Sequence, residues 1–268
     1  MHAHVAQTSN PATIIAKPGG VARNIAHNLA KLGAKVTLLT AVGHDANAET
    51  IIAATKKAGV NTTHIISVNA PTGLYMALLD ESGELVTAAS DMQCLKFLSK
   101  EHIENNRNLV KQNSLIIADC NLSIETLEEI SVQAADRLIV EPVSVSKSSK
   151  LLRLLEKHKI FLSTPNLDQI EALTGSRDPL QAAKTLHARG LANVVIHAGA
   201  KGAFGSDGQS FVHIPSQARS IIDVTGAGDA ATAGLVAGLM QGLPLAKAAE
   251  LGQKAAAIVI ASESSTLP

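Results

Sequence analysis

Seven residues, Asp223-Val224-Thr225-Gly226-Ala227-Gly228-Asp229, place two glycines and two carboxylates between a strand-like stretch, Arg219–Ile222, and a long run of small residues with helical character. A helix start presents unpaired N–H groups at the positive end of the helix dipole, and glycines let an anion approach that backbone closely. Asp229, in the first turn, can cap the helix or accept a proton from a hydroxyl that attacks a phosphoryl group. Gly226, Ala227 and Gly228 would then surround the phosphoryl oxygens.

Three further turns carry related chemistry. Pro18-Gly19-Gly20-Val21-Ala22-Arg23-Asn24 leads into a helix, with open backbone at Gly19 and Gly20 and a donor–acceptor amide at Asn24. Thr164-Pro165-Asn166 ends a strand and starts a helix that carries Glu171, while Gly199-Ala200-Lys201-Gly202 follows the strand ending at His197. Neither a Walker-type phosphate loop nor a Gly-x-Gly-x-x-Gly fingerprint placed after a strand occurs. Ligands of open α/β sheets bind beyond the carboxyl ends of the strands, so the separated turns can converge on one cleft.

The elements that must position these turns alternate. Helical periodicity over Val21–Leu32, near Asn47–Ala58, over Ser123–Ala135, near Leu167–Leu173 and over Pro179–Ala188 separates short apolar runs. Those runs, Val36–Thr40, Ser114–Asp119, Arg137–Glu141, Ile160–Ser163 and Asn193–His197, predict a mostly parallel sheet covered on both faces. Two hairpins interrupt the pattern: Thr72–Leu79 with Glu84–Ala88 around Asp80-Glu81-Ser82-Gly83, read as a small β-lid, and Ala203–Ser206 with Ser210–Ile214, read as a sheet edge. From Asp229 to Ala261 two small-residue helices are expected, broken at Gly242-Leu243-Pro244.

Composition excludes several classes. The 268 residues are 46% hydrophobic and 17% charged, with 23 Lys and Arg against 23 Asp and Glu, so the basic footprint of a polymeric nucleic-acid binder is missing. Two cysteines, Cys94 and Cys120, suit free thiols in a reducing cytoplasm rather than a disulfide framework or zinc site. No apolar run reaches the roughly 18 residues of a membrane span. Aromatic residues make up 2%, which leaves Ala, Val, Ile and Leu to build the core and few rings to stack on a base.

The four turns, in this order, resemble the ribokinase-like, or PfkB-type, family of small-molecule kinases. Pro18–Asn24 is similar to its N-terminal signature and Asp223–Asp229 to its C-terminal one, with Thr164-Pro165-Asn166 and Gly199-x-x-Gly202 between them. Within the family, Ser90-Asp91-Met92, Ala118-Asp119-Cys120-Asn121 and Glu141-Pro142-Val143-Ser144 resemble the pseudouridine kinases. The resemblance implies a three-layer α/β/α domain over residues 1–268, with a β-lid from about 1–18 and 66–92 through which two copies could pair. It implies ATP-dependent phosphorylation of the 5′-hydroxyl of pseudouridine, with Asp229 as general base and Gly226, Ala227 and Gly228 as anion hole. The alternatives are another sugar or nucleoside kinase of the family and a catalytically impaired, ligand-binding relative.

By the same carry-over, Gly19, Gly20 and Asn24 hold ribose hydroxyls, and Asp91 and Asn121 face the substrate, with Lys147 beside them. Asn166 lies near the triphosphate and magnesium, Gly199, Gly202 and Thr225 border the nucleotide, and Asp223 with Thr225 matches a monovalent-cation (K+) site. Three departures stand out. Relatives begin with a strand ending in Asn-x-Asp, and none precedes Pro18, so a sheet lacking that strand and its substrate carboxylate is expected. Gln169 replaces a family glutamate near magnesium, leaving Asp168 or Glu171 as substitutes. His197 stands where an adenine-side hydroxyl residue is usual, and reads as a buried strand histidine.

Overall fold

Glycine at 20 and an apolar face at Val21, Ile25 and Leu29 start the first element, α1 (Val21–Lys31), in the computed structural model, which describes residue 8, residues 12–80 and residues 85–268. It is followed by β1 (Thr37–Val42), α2 (Ala46–Lys57) and β2 (Asn61–Ser67), then by a ribbon of β3 (Leu74–Leu79) and β4 (Leu85–Asp91). Two short helices, α3 (Lys100–Asn105) and α4 (Arg107–Gln112), lead into β5 (Ile116–Asp119), α5 (Ile124–Ala134), β6 (Leu138–Glu141), α6 (Val145–Leu155) and β7 (Ile160–Ser163). The chain continues through α7 (Leu167–Thr174), α8 (Pro179–Ala188), β8 (Leu191–His197), β9 (Ala203–Ser206), β10 (Phe211–Ile214), α9 (Ala227–Met240) and α10 (Leu245–Ile260).

The main sheet has the order β10-β9-β8-β7-β6-β5. Strands β5 to β8 run parallel and β9–β10 form an antiparallel edge hairpin. Because successive strand residues point to opposite faces, Leu138 and Val140 join one core with Leu127, Leu154 and Ile170, while Ile139 joins another with Ile25, Val236 and Ala248. Two helical layers thus cover a buried sheet, the expected α/β/α arrangement.

The sheet is divided. Strands β1 and β2 pair in parallel as a separate two-stranded sheet, and between β1 and β5 lies a slot of about 120 Å³ lined by Ile25 and Leu29 of α1, Thr37 and Ile117. No strand precedes α1 among the described residues, and Ala12–Pro18 carries none. The ribbon β3–β4 stands apart with Leu74, Tyr75 and Met76 exposed; Glu81-Ser82-Gly83 of its anticipated turn lie outside the described residues.

Several elements differ from the sequence expectation, the short helices α3 and α4 among them. The stretch Arg219–Ile222 forms no strand: Ile221 and Ile222 are exposed, and the Ile222 N–H is used up on the carbonyl of Ile260 at the end of α10. Strand β2 was not anticipated, because Asn61-Thr62-Thr63-His64 lacks an apolar run; pairing with β1 decides it instead. Helix α6 also went unread, its apolar face at Leu151, Leu154 and Leu155 being masked by Ser and Lys.

Small residues bring α9 and α10 together. A Cβ on Gly234 would lie 2.6 Å from the Leu251 carbonyl and 2.8 Å from Gly252 Cα. Alanine in a free helix would gain about 1 kcal/mol over glycine, but here overpacking outweighs propensity. Gly234→Ala should lower unfolding free energy in urea by about 1–3 kcal/mol, and an unchanged or raised midpoint would refute this packing.

Candidate functional site

Gly226 reverses the chain into α9 with φ 80°, and a Cβ there would sit 2.1 Å from the Ser265 carbonyl oxygen, so both conformation and space require glycine. Asp223 braces the turn by accepting the Thr225 N–H at 2.8 Å. Ala227, Gly228 and Asp229 are the first helical residues, at the positive end of the α9 dipole. A Cβ on Gly228 would meet nothing within 4 Å, so the space before this turn is open.

Asp229 is fixed from the far end of the sequence. Asn24 Nδ2 donates to Asp229 Oδ2 at 2.8 Å, across 205 residues. The amide is oriented by buried Arg23, which donates from Nη2 to Asn24 Oδ1 at 2.6 Å and to the Pro18 carbonyl at 2.8 Å, and from Nε to the Gly19 carbonyl at 2.8 Å. Gly20, with φ 102°, lets that loop fold back over the helix start. Arg23 is a site residue that the sequence reading passed over; its place beside Asn24 was the available signal. Burial pushes the Asp229 carboxyl up to about 7, the Asn24 hydrogen bond opposing the shift and the charge of Asp119 adding to it.

Asp119 and Glu141 end β5 and β6 at the same sheet edge. Asp119 accepts the N–H groups of Ala22 (3.3 Å) and Asn121 (2.9 Å). Burial raises Glu141 to about 8, although Thr164 Oγ1 donates to it. Beyond Glu141, Val143 adopts φ 67°, a strained conformation for a β-branched residue. His197 is held neutral by burial, its value lowered to about 4, with Thr232 Oγ1 3.5 Å from Nε2.

At the start of α7, Asn166 and Gln169 form a reciprocal cap, each side chain accepting the other's backbone N–H at 2.9 Å. Asn166 bridges to His197, which brings α7 beside the end of β8. Gly199 and Gly202 both have positive φ in the turn after β8, and a Cβ on Gly202 would collide with the Ile214 carbonyl. Glu171 does not join this group: it is exposed and paired, like Asp168, with Arg177 (2.9 and 2.7 Å). Lys17 stands 3.7 Å from Asp223, so a cation of the chain itself faces the carboxylate assigned to a monovalent ion.

Asp91 and Asn121 do come together. With Gln93, Ser123 and Lys147 they line a cavity of about 530 Å³, a size suited to a small ligand. Lys147 Nζ donates to Asn121 Oδ1 at 2.6 Å, and Asp91 Oδ1 accepts the Gln93 N–H at 3.0 Å. Among the described residues no three His, Cys, Asp or Glu side chains form a metal cluster, and no helix is long and apolar enough to cross a membrane. Gln169 is spent on a cap, and Asp168 and Glu171 are paired with Arg177.

Residues 3–268 match the pfkB family carbohydrate kinase profile. The chain is 35% identical to pseudouridine kinase of Escherichia coli (strain K12) over 97% of its own length and 85% of that protein's. It is 29% identical to ribokinase of Haemophilus influenzae over 90% and 80% of the respective chains. A carbohydrate kinase from Agrobacterium tumefaciens superposes with a TM-score of 0.82 at 30% identity, covering 98% of this chain and 86% of the other.

The Asp229 environment has a consequence for stability. Unfolded, the carboxyl titrates near 4; folded, it titrates at about 7, so the native state keeps a proton that the unfolded chain releases. The cost of ionising it in place grows between these values and is complete above the upper one. Asp229→Asn should therefore melt a few degrees higher than the native chain at pH 8 and close to it at pH 4. Equal melting temperatures at pH 8 would contradict the assignment.

Proposed function

Because the chain belongs to the pfkB family of carbohydrate kinases, we propose that it transfers the terminal phosphoryl group of ATP to the 5′-hydroxyl of pseudouridine. The observation that carries this reading is Asp229, recessed at the start of α9 and fixed by Asn24. The acceptor hydroxyl gives its proton to Asp229 as its oxygen attacks the terminal phosphorus of ATP and the bond from that phosphorus to ADP breaks. Charge on the moving phosphoryl group meets the N–H groups at the α9 start, opened by Gly226 and Gly228. Gly19, Gly20 and Asn24 hold the ribose side, while Asp91, Asn121 and Lys147 read polar edges of the base in place of aromatic stacking.

The nucleotide lies along Asn166, Gly199, Gly202 and Thr225, on the far side of the same turn. Magnesium would come bound to the ATP phosphates, beside Asn166, and would neutralise charge on the phosphoryl oxygens. The β3–β4 ribbon closes over the acceptor and offers Leu74, Tyr75 and Met76 to a second copy. Phosphorylation of a free sugar is the second reading, favoured by the similarity to a ribokinase.

ADP release with pseudouridine, ribose and adenosine separates these substrates: release with pseudouridine is expected, and release with ribose or adenosine alone would sink that assignment. For the active substrate, kcat/KM should rise tenfold per pH unit and level off above about pH 7, as the free enzyme's base ionises. Asp229→Asn should reduce kcat about 10²- to 10⁴-fold with ATP binding by calorimetry preserved. Unchanged turnover would remove Asp229 from the role of base.

A further inference from the structure

Asp119 is a charged side chain with more acceptor capacity than its partners consume. Only 7% exposed, it stands at the carboxyl end of β5, where the parallel sheet opens to ligand. Its Oδ2 faces α1 through the Ala22 N–H, two residues before Asn24. Its other oxygen, Oδ1, accepts the Asn121 backbone N–H, and Asn121 lies in the 530 Å³ cavity beside Lys147. A carboxylate offers about four lone-pair directions, and these two donors leave acceptor capacity open.

The other acids at this edge have different commitments. Glu141 is tied to the Thr164 hydroxyl and the Val143 N–H, and Asp229 to Asn24. Asp91 caps its own turn through the Gln93 N–H. Asp119 alone joins the α1 start, and through it Asp229, to the cavity wall at Asn121. Burial pushes its carboxyl up, while Asn121, Ala22 and the Lys147 charge pull it back, so a donor from a ligand would favour its ionised form further.

We propose that Asp119 accepts hydrogen bonds from ring hydroxyls of the acceptor, seating a polyol with its primary hydroxyl at Asp229 and selecting ribosyl over deoxyribosyl acceptors. This rests on the kinase reading above and adds a substrate-binding residue to it. The open acceptor capacity takes a ring hydroxyl of the acceptor.

The test pairs substrate and residue deletions. Binding of pseudouridine and its 2′- and 3′-deoxy analogues is measured by calorimetry, with steady-state kinetics alongside, for the native chain and Asp119→Asn. The native chain should bind at least one deoxy analogue about 10- to 100-fold more weakly, and Asp119→Asn should reduce that penalty to about twofold by weakening the ribosyl compound alone. Equal weakening of ribosyl and deoxy compounds would make Asp119 a structural cap and overturn the proposal. Absence of any deoxy penalty in the native chain would overturn it without a variant. Binding with these preferences but no ADP release would instead count against the kinase reading and leave the Asp119 assignment standing.

Discussion

One hydrogen bond organises the molecule: the Asn24 amide on the Asp229 carboxylate. It joins the first helix to the ninth and holds a carboxylate where the α9 dipole is positive but water is scarce. Burial and dipole act in opposite directions on such a group, the first resisting its charge and the second welcoming it. The outcome is a carboxyl poised at about 7 rather than near 4. A base in that range can take a proton from an alcohol at neutral pH and return it afterwards.

The rest of the fold serves that contact. Arg23 spends its donors on Asn24 and on the Pro18 and Gly19 carbonyls, which fixes the amide orientation. Gly226 makes the turn that no side chain could make against Ser265. Gly234, Gly238 and Gly252 let α10 press α9 into place, so the helix start is set by packing as well as by its cap. The division between β1 and β5 runs beneath α1, and the Ile25 and Leu29 face of that helix lines the slot while also packing on the main sheet. The α1–α9 contact therefore spans the boundary between the two sheets.

Much of this was legible in the residues. Apolar runs of four to six residues marked the parallel strands because strands buried on both faces need no alternation. The Gly-rich turns stood out because positive φ and close approach leave few other choices. What escaped depended on partners distant in sequence. Strand β2 is polar and exists through its pairing with β1. The stretch Arg219–Ile222 looked like a strand by composition, yet its Ile222 N–H was already claimed by the end of α10. Glu171 read as a metal-side carboxylate, but Arg177, six residues on, holds it at the surface. Asp119 lay within a recognised motif while its significance depended on α1 and Asn121 meeting around it.

The state of Asp229 is directly observable. With carboxyl carbons labelled, the Asp229 resonance followed across pH in the ligand-free protein should titrate with a midpoint near 7, and Asn24→Ala should move that midpoint upward by removing the hydrogen bond that favours the charged form. A midpoint near 4, unaffected by Asn24→Ala, would contradict the account.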